Sequence, residues 1–434
     1  MVFWIYNLLF PFAFVLMLPG YLRRMVRRGN YRRHFWQRFG IYSAAERTTL
    51  MGDGKRVWVQ AVSVGEMFVA LKLVTVLRQR HPGWFIILST TTTTGFQLAR
   101  EKMGADVAVI YTPIDLRGAV RRAFDIVRPS AVVIVDGGLW PNQLLEARRR
   151  QIPVTLANAR LSPRSERRFL QFGFIARSMF SLLDRVCVPE AADVARWQQL
   201  GVTPAHIAVT GSIKYDDADA PASCSTGGGG MQTVLRRLGI QDEAPVLFGG
   251  STHAGEERIL AEVFLGLRER FTGLRLVIAP RHVERTANIL TELGDLNLHI
   301  VRRTETLGST WPETIPEIFL LDTTGELRAW YDVATVVFIG KSLTAVGGQN
   351  PAEAIAAGKP ILFGPHMENF ASLAAQLLEA DAAFRIADAA DFHPRAATLL
   401  ALDADAHAQM ARRARQLLDS HQGATERTAQ LLEM

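Results

Sequence analysis

RVWVQAVSVGEMFVALKLVTVLRQR, Arg56 to Arg80, is the stretch whose reading decides the fold. It opens on an apolar strand candidate, VWVQAV (57–62), passes through a small Ser-Val-Gly turn and continues as a helical pattern, MFVALKLVTVLRQR. A continuously apolar strand is buried on both faces, and a helix following at once is the connection that a parallel sheet requires. One carboxylate, Glu66, stands at the exit of the turn. There it can cap the helix and complement its dipole. It can equally serve as a general base at a strand end. The residues alone leave both roles open.

The same alternation continues outward. Further strands are expected at 84–89, 107–111, 131–136, 154–158 and 185–189, with helical patterns such as LRGAVRRAFDIV between them. It breaks at DDADAPASCSTGGGG, Asp216 to Gly230, where four consecutive Gly among Ala, Ser and Asp cannot pack a core. It resumes with strands at 246–250, 274–280, 318–322, 335–340 and 360–364. An α/β chain of two Rossmann-like halves joined by a hinge follows, with ligands in the loops after the strand C-termini and a site expected in the cleft between the halves. A length of 434 residues suits two cores better than one. The expected boundaries are 1–22 for a membrane anchor and 23–215 for the first half. A linker at 216–233, a second half at 234–415 and a C-terminal helix at 416–434 complete the chain.

The formal charge of +7 is concentrated near the N-terminus, where seven Arg lie between Arg23 and Arg38 and no acidic residue precedes Glu46. Such a cluster on an otherwise nearly neutral chain points to an anionic surface, not to nucleic acid. The preceding run, VFWIYNLLFPFAFVLML (2–18), is apolar, with Asn7 and Pro11 as interruptions. Its positive charges follow the apolar run, the reverse of a cleaved signal peptide. The order reads as an uncleaved anchor with the body of the chain on the cytoplasmic side. A helix lying in the interface and a buried N-terminal helix are the alternatives. The two cysteines, Cys187 and Cys224, make neither a metal spacing nor a disulfide framework.

Three stretches in the second half suggest chemistry. In FGGSTHAGEERIL, Ser251 and Thr252 offer hydroxyls at a strand–turn–helix junction whose helix N-terminus can hold an anion. A capping box formed with Glu256 or Glu257 is the plainer reading. In LVIAPRHVER, Arg281 and His282 stand at a strand end, where a guanidinium suits a phosphate or carboxylate; a surface ion pair is the alternative. In FIGKSLTAVGGQNPAEAIAAGKPILFGPHMENF, the Gly340-Lys341-Ser342 triplet lacks the upstream Gly of a phosphate-binding loop, since that position is Thr335. Asn350 and Glu353, three apart, are expected on one helix face, with Glu353 placed to accept ribose hydroxyls.

The order of these stretches resembles the lipid A Kdo transferases, which move 3-deoxy-D-manno-octulosonic acid (Kdo) from its CMP ester. The resemblance runs from about Arg23 to the C-terminus through WVQAVSVGE, LWPNQLLEA, IPVTLANARLSPRS, VTGSIKYD, GGSTHAGEE, APRHVER, DTTGEL, GKSLTAVGGQNPAEA and GPHMENF. It implies a GT-B fold and a membrane-associated inverting glycosyltransferase of lipopolysaccharide biosynthesis, on the cytoplasmic face of the bacterial inner membrane. It implies no cofactor and no metal. Its partners would be CMP-Kdo as donor, a lipid A precursor (lipid IVA) as acceptor and anionic inner-membrane lipid. By position, Glu66 resembles the family's general base, while Asp136 and Lys214 resemble its transition-state-stabilising groups. Pro280 and Arg281, Thr324, Gly325 and Glu326, and Asn350, Pro351, Ala352 and Glu353 match its CMP contacts. One departure stands out: where the family reads ETELWPN this chain reads DGGLWPN, so Asp136 and Gly138 replace two Glu. A UDP-sugar 2-epimerase on the same architecture, and a degenerate paralogue that binds lipid or nucleotide without turnover, are the competing readings.

Each basic residue near an anionic bilayer contributes about 1 kcal/mol. Exchanging the Arg23–Arg38 cluster for Gln in a chain lacking residues 1–20 is therefore expected to release it from anionic vesicles in a sedimentation assay. Unchanged sedimentation would contradict the lipid-binding role.

Overall fold

The computed structural model describes residues 2–28, 33–51, 54–104, 107–161, 163–216, 231–240, 244–307 and 314–433. The chain divides into two compact units. One comprises Met1–Asp216 with His421–Met434, and the other comprises Asp217–Ser420. Most of the linker expected at 216–233, Cys224 included, lies outside the described residues; a helix begins at Met231.

The first unit is built on seven parallel strands: β1 (Arg56–Gln60), β2 (Phe85–Thr90), β3 (Ala108–Tyr111), β4 (Ala131–Val135), β5 (Val154–Ala157), β6 (Arg185–Val188) and β7 (Ile207–Val209), in the order β3-β2-β1-β4-β5-β6-β7. The chain returns past β1 to place β4 on its other side, so the switch point lies between β1 and β4, whose register pairs Val57 with Ala131 and Gln60 with Ile134. In open parallel sheets this is where the crevice beyond the strand C-termini opens. Glu66 follows β1 and Asp136 follows β4, so both residues are delivered to that point. Apolar layers cover both sheet faces, with Trp58, Phe124, Phe180 and Trp197 in one and Val59, Met67, Leu73 and Leu88 in the other.

The second unit repeats the plan with β8 (Val246–Thr252), β9 (Arg275–Pro280), β10 (Ile300–Arg302), β11 (Ile318–Leu320), β12 (Val336–Ile339), β13 (Ile361–Phe363) and β14 (Ala383–Arg385), ordered β10-β11-β9-β8-β12-β13-β14. Every pairing in both sheets is parallel. The switch point lies between β8 and β12. The backbones approach so closely there that a Cβ on Gly340 would sit 2.3 Å from the Ser251 carbonyl oxygen.

Several expectations are corrected. The N-terminal helix runs unbroken from Val2 to Arg28 through Pro11 and Pro19. The stretch Val2–Gly20 is long and apolar enough to cross a membrane by length and composition. The C-terminal segment is two helices, Ala404–Asp419 and Ala424–Leu431, broken at Gly423, whose φ is 71°. The second of these belongs to the first unit, where Asp216 accepts the Ala424 and Thr425 N–H groups at 3.1 and 2.7 Å. Arg38 is not available to lipid. It is buried, stacks on the Tyr111 ring at 3.8 Å and donates to the Thr91 carbonyl at 2.7 Å. The vesicle experiment is therefore run with Arg38 retained.

Candidate functional site

In the first unit, Ser63 and Glu66 form a reciprocal capping box at the start of the helix Val64–Arg80. The Ser63 hydroxyl accepts the Glu66 N–H at 3.2 Å, and Glu66 Oε2 accepts the N–H groups of Val62 and Ser63 at 2.6 and 3.3 Å. Both backbone bonds to the carboxylate fall on Oε2, and Oε1 accepts no backbone N–H among the described residues. The carboxylate is thus fixed in place by one oxygen and open at the other. Burial raises its pKa, the two amides oppose that rise, and the negative charge of Asp136 adds to it, leaving the group above its ordinary value of 4.5. The two roles that the sequence left open are compatible, because a cap uses only half of a carboxylate.

Asp136 leaves β4 in the left-handed region, φ 59°, which Asp tolerates better than most residues. Its Oδ2 lies 3.1 Å from Lys214 Nζ, and its Oδ1 accepts from Asn158 Nδ2. Asn158, fully buried at the end of β5, turns its other amide atom to the Lys214 loop, accepting the Ile213 N–H at 3.0 Å and the Ser212 hydroxyl at 3.3 Å. Lys72 donates to the Ile213 carbonyl at 3.2 Å, and His421 Nδ1 accepts the Ser212 N–H at 3.1 Å. Glu66, Asp136 and Lys214 thus share the C-terminal edge of one sheet. Asn158 was missed as a positioning residue; its signal was an Asn directly after an apolar strand, in VTLAN.

Gly138 occupies a closed position. Its carbonyl accepts from Gln60 Nε2 at 3.0 Å, and a Cβ placed on it would lie 2.4 Å from Val62 Cγ2 and 4.0 Å from Glu66 Oε2. Val62 fills the space that a side chain would need.

In the second unit, a pocket of about 120 Å³ is lined by Ser251, Pro280, Arg281, Thr324, Gly325 and Glu326, together with Ala279, Val283, Leu321, Thr323 and Leu327. Three strand ends, those of β8, β9 and β11, supply these residues. Arg281 is exposed, and its guanidinium has no partner among the described residues. Glu326 is spoken for: its carboxylate takes Arg303 Nε and Nη2 at 2.9 and 3.1 Å and the Thr323 hydroxyl at 2.8 Å. Burial works to raise its pKa, but Arg303 and Thr323 hold it below the ordinary value. Arg303, itself buried, gave no sequence signal because it lies in a short helical turn outside every quoted motif.

His282 and the Asn350–Glu353 group do not line this pocket. His282 is exposed beside His253, with ring centroids 6.1 Å apart. Asn350 is not on a helix face with Glu353. It precedes the helix Ala352–Ala356, and its side chain accepts the Ala352 N–H at 3.1 Å. Pro351 and Ala352 are buried, and the half-buried Glu353 carboxylate has no partner among the described residues.

The capping box expected at Ser251 or Thr252 does not form. The strand runs through Thr252 and the helix starts at Glu256 after Gly255. Thr252 is buried and donates its hydroxyl to Glu257 at 2.9 Å, and Arg285 pairs with the same carboxylate at 2.8 Å. Thr252 is therefore unavailable to a ligand. The loop at Lys341–Thr344 is occupied from within. The buried Glu256 carboxylate accepts the N–H groups of Lys341 at 2.7 Å, Ser342 at 3.0 Å, Leu343 at 3.0 Å, Thr344 at 3.5 Å and His253 at 2.8 Å. A nest of amides that could cradle a phosphate holds a side chain instead. Among the described residues, no group of three or more His, Cys, Asp or Glu could hold a metal ion.

Two parallel seven-stranded sheets with ligand-type residues at their C-terminal edges define a GT-B-like glycosyltransferase architecture. A glycosyltransferase from Rickettsia africae aligns over 88% of this chain and 98% of its own, with a TM-score of 0.56 at 9% identity. The UDP-GlcNAc 2-epimerase of Neisseria meningitidis aligns over 84% and 99%, with a TM-score of 0.53 at 14% identity. Both show the fold alone. In sequence, residues 33–217 match the family described as 3-deoxy-D-manno-octulosonic-acid transferase (kdotransferase). The 3-deoxy-D-manno-octulosonic acid transferase of Bordetella pertussis is 34% identical over 385 residues, covering 87% of this chain and 86% of that one. Its Haemophilus influenzae counterpart is 29% identical over 410 residues, covering 94% and 92%. The chain belongs to the 3-deoxy-D-manno-octulosonic acid transferase family.

Glu256→Gln keeps the volume but turns one carboxylate oxygen into a donor facing loop N–H groups. Leaving buried donors unsatisfied costs about 1–3 kcal/mol. Urea unfolding is expected to show a loss of that size, and an unchanged midpoint would contradict the structural role of Glu256.

Proposed function

We propose that this chain transfers Kdo from CMP-Kdo to a hydroxyl of a lipid A precursor, lipid IVA, in lipopolysaccharide biosynthesis, with inversion at the anomeric centre and Glu66 as general base. The observation that carries the reading is the half-used Glu66 carboxylate. An oxygen free to accept a proton, held rigidly by its twin and with a raised pKa, is the arrangement that general-base catalysis calls for. In the proposed step, the acceptor oxygen forms a bond to the anomeric carbon as the bond to the CMP phosphate oxygen breaks. The hydroxyl proton passes to Glu66 Oε1, and CMP leaves as the anion.

Arg281 is proposed to meet the phosphate charge, with Ser251 and the backbone of Thr324, Gly325 and Glu326 lining the nucleotide pocket. Because Arg303 saturates the Glu326 carboxylate, that residue contributes shape and backbone, not charge. Glu353, unpartnered, is assigned to the ribose hydroxyls. Lys214, oriented by Asp136, is assigned to the donor carboxylate, where a preorganised cation stabilises developing charge without reorganisation. The family membership supports the reaction class, and the likeness to 2-epimerases is one of fold.

Supplying CMP-Kdo, generated in situ, with lipid IVA and following Kdo-lipid by mass spectrometry tests the reading. Wild type is expected to form product, and Glu66→Gln is expected to lose roughly 10²–10⁴-fold, the usual contribution of a general base. Equal rates for the two would remove Glu66 from the chemistry. No product from wild type would overturn the donor–acceptor assignment.

Gly138→Glu restores the family's residue in name only. Its Cβ must displace Val62, whose N–H holds Glu66, and overpacking of this kind costs about 1–3 kcal/mol. The variant is expected to be less stable and less active than wild type. A gain in turnover would show that the departure at Gly138 had cost activity.

A further inference from the structure

The N-terminal helix is fastened near its beginning. The Tyr6 hydroxyl donates to Asp115 Oδ2 at 2.8 Å. Asp115 is buried after β3 and also accepts the N–H groups of Asn142 and Gln143 at 3.0 and 3.2 Å, at the start of the helix Pro141–Arg149. Tyr6 is therefore tied to the body of the first unit through a carboxylate that organises a second helix. Phe3, Tyr6, Asn7, Phe10 and Phe14 are half-buried, whereas Trp4, Leu8, Phe12, Val15 and Leu16 are exposed, Leu16 to 82%.

A helix crossing the bilayer through residues 2–18 would carry Tyr6 roughly 20 Å away from Gly20 along the membrane normal, at 1.5 Å per residue. That is incompatible with Tyr6 resting on the same body that holds Arg38. With both ends on one side, the exposed apolar face is suited to lie flat, sunk about 5–10 Å into the boundary between headgroups and acyl chains.

Beside Tyr6 the helix forms a groove of about 700 Å³ with the start of the helix Arg117–Val127 and the length of the helix Pro141–Arg149. Its apolar side is Phe3, Trp4 and Leu145, and its basic side is Arg117, Arg121 and Arg149. Arg149 is neutralised by Glu146 at 2.6 Å. Arg117 and Arg121, one helical turn apart and exposed, have no partner among the described residues. Arg117 also stands at a helix N-terminus, where a cation is unfavourable unless an anion accompanies it. The groove thus presents two uncompensated positive charges next to an apolar wall that is continuous with the exposed face of the helix.

We propose that the N-terminal helix lies in the membrane surface instead of spanning it, latched by Tyr6 to Asp115, and that the Arg117/Arg121 groove seats the phosphate of an anionic phospholipid of the same leaflet, its acyl chains against Phe3 and Trp4. This goes beyond the transfer reaction and does not depend on Glu66.

Two measurements on the full chain test it. Cys224 is replaced by Ser, the buried Cys187 is kept, one cysteine at a time is placed at 4, 8, 12 or 16 and labelled with an environment-sensitive fluorophore, and depth is read by lipid-borne quenchers in phosphatidylglycerol-containing vesicles. Equal shallow depths at all four positions are expected. A profile deepest at 8–12 and shallow at 4 and 16 would overturn the surface-lying helix. Arg117→Gln with Arg121→Gln is then compared with wild type for binding to vesicles with and without phosphatidylglycerol. A loss of roughly thirtyfold on the anionic vesicles is expected, two basic residues at about 1 kcal/mol each, with no change on neutral phosphatidylcholine. Equal binding of both chains to anionic vesicles would remove the lipid phosphate from the groove, and an equal loss on both vesicle types would mean that the arginines act on the helix itself.

Discussion

A parallel strand cannot be joined to its neighbour by a hairpin; the chain must cross over, and a helix is the usual crossover. That constraint organises both units. Every strand delivers its C-terminus to the same edge, and the return past the first strand opens a crevice there. The residues after β1, β4, β5 and β7 (Glu66, Asp136, Asn158 and Lys214) meet for this reason, as do those after β8, β9 and β11. Nothing in their spacing along the chain, which ranges over some 150 positions, would otherwise bring them together.

The two units use the same device after their first strands to different ends. In each, a glutamate in the first turn of the following helix takes up N–H groups of loops at the strand ends. Glu256 spends both oxygens, five amides in all, and is buried in the core as an acceptor that shapes the Lys341–Thr344 loop. Glu66 spends one oxygen and keeps the other. A carboxyl whose folded pKa is raised binds its proton more tightly than it does in the unfolded chain. Such a group costs stability as pH rises through the interval between its unfolded and folded values. The capping bonds from Val62 and Ser63 offset part of that cost, so the same bonds that start the helix also hold the carboxylate in place.

Much of this was legible in the sequence. The strands inside each sheet are continuous apolar runs because they are covered on both faces, and all eleven expected strands are present. The three that were missed, β7, β10 and β14, are three-residue strands at sheet edges. A strand paired on one side only needs no apolar run, and HIVRR or AAFRI carries no period that marks it. At the site, Glu66 and Arg281 could be named from the residues, and Asp136, Lys214, Pro280 and Thr324–Glu326 from the family resemblance alone; all lie at the C-terminal edges of the two sheets. What could not be read was which polar groups are already satisfied. Thr252, Glu326 and Arg38 look available in the sequence and are spent on Glu257, Arg303 and Tyr111–Thr91, whereas Asn158 looks ordinary and holds the Lys214 loop. Satisfaction is a property of neighbours distant in sequence, and local pattern does not report it.

In the proposed mechanism Glu66 is at once a helix cap and a poised base. The most direct measurement is a carbon-13 NMR titration of its side-chain carboxyl, assigned by difference against Glu66→Gln, in wild type and in Asp136→Asn. A wild-type pKa above 4.5 is expected, falling when the Asp136 charge is removed. A wild-type value at or below 4.5, unmoved by Asp136→Asn, would leave Glu66 a cap and nothing more.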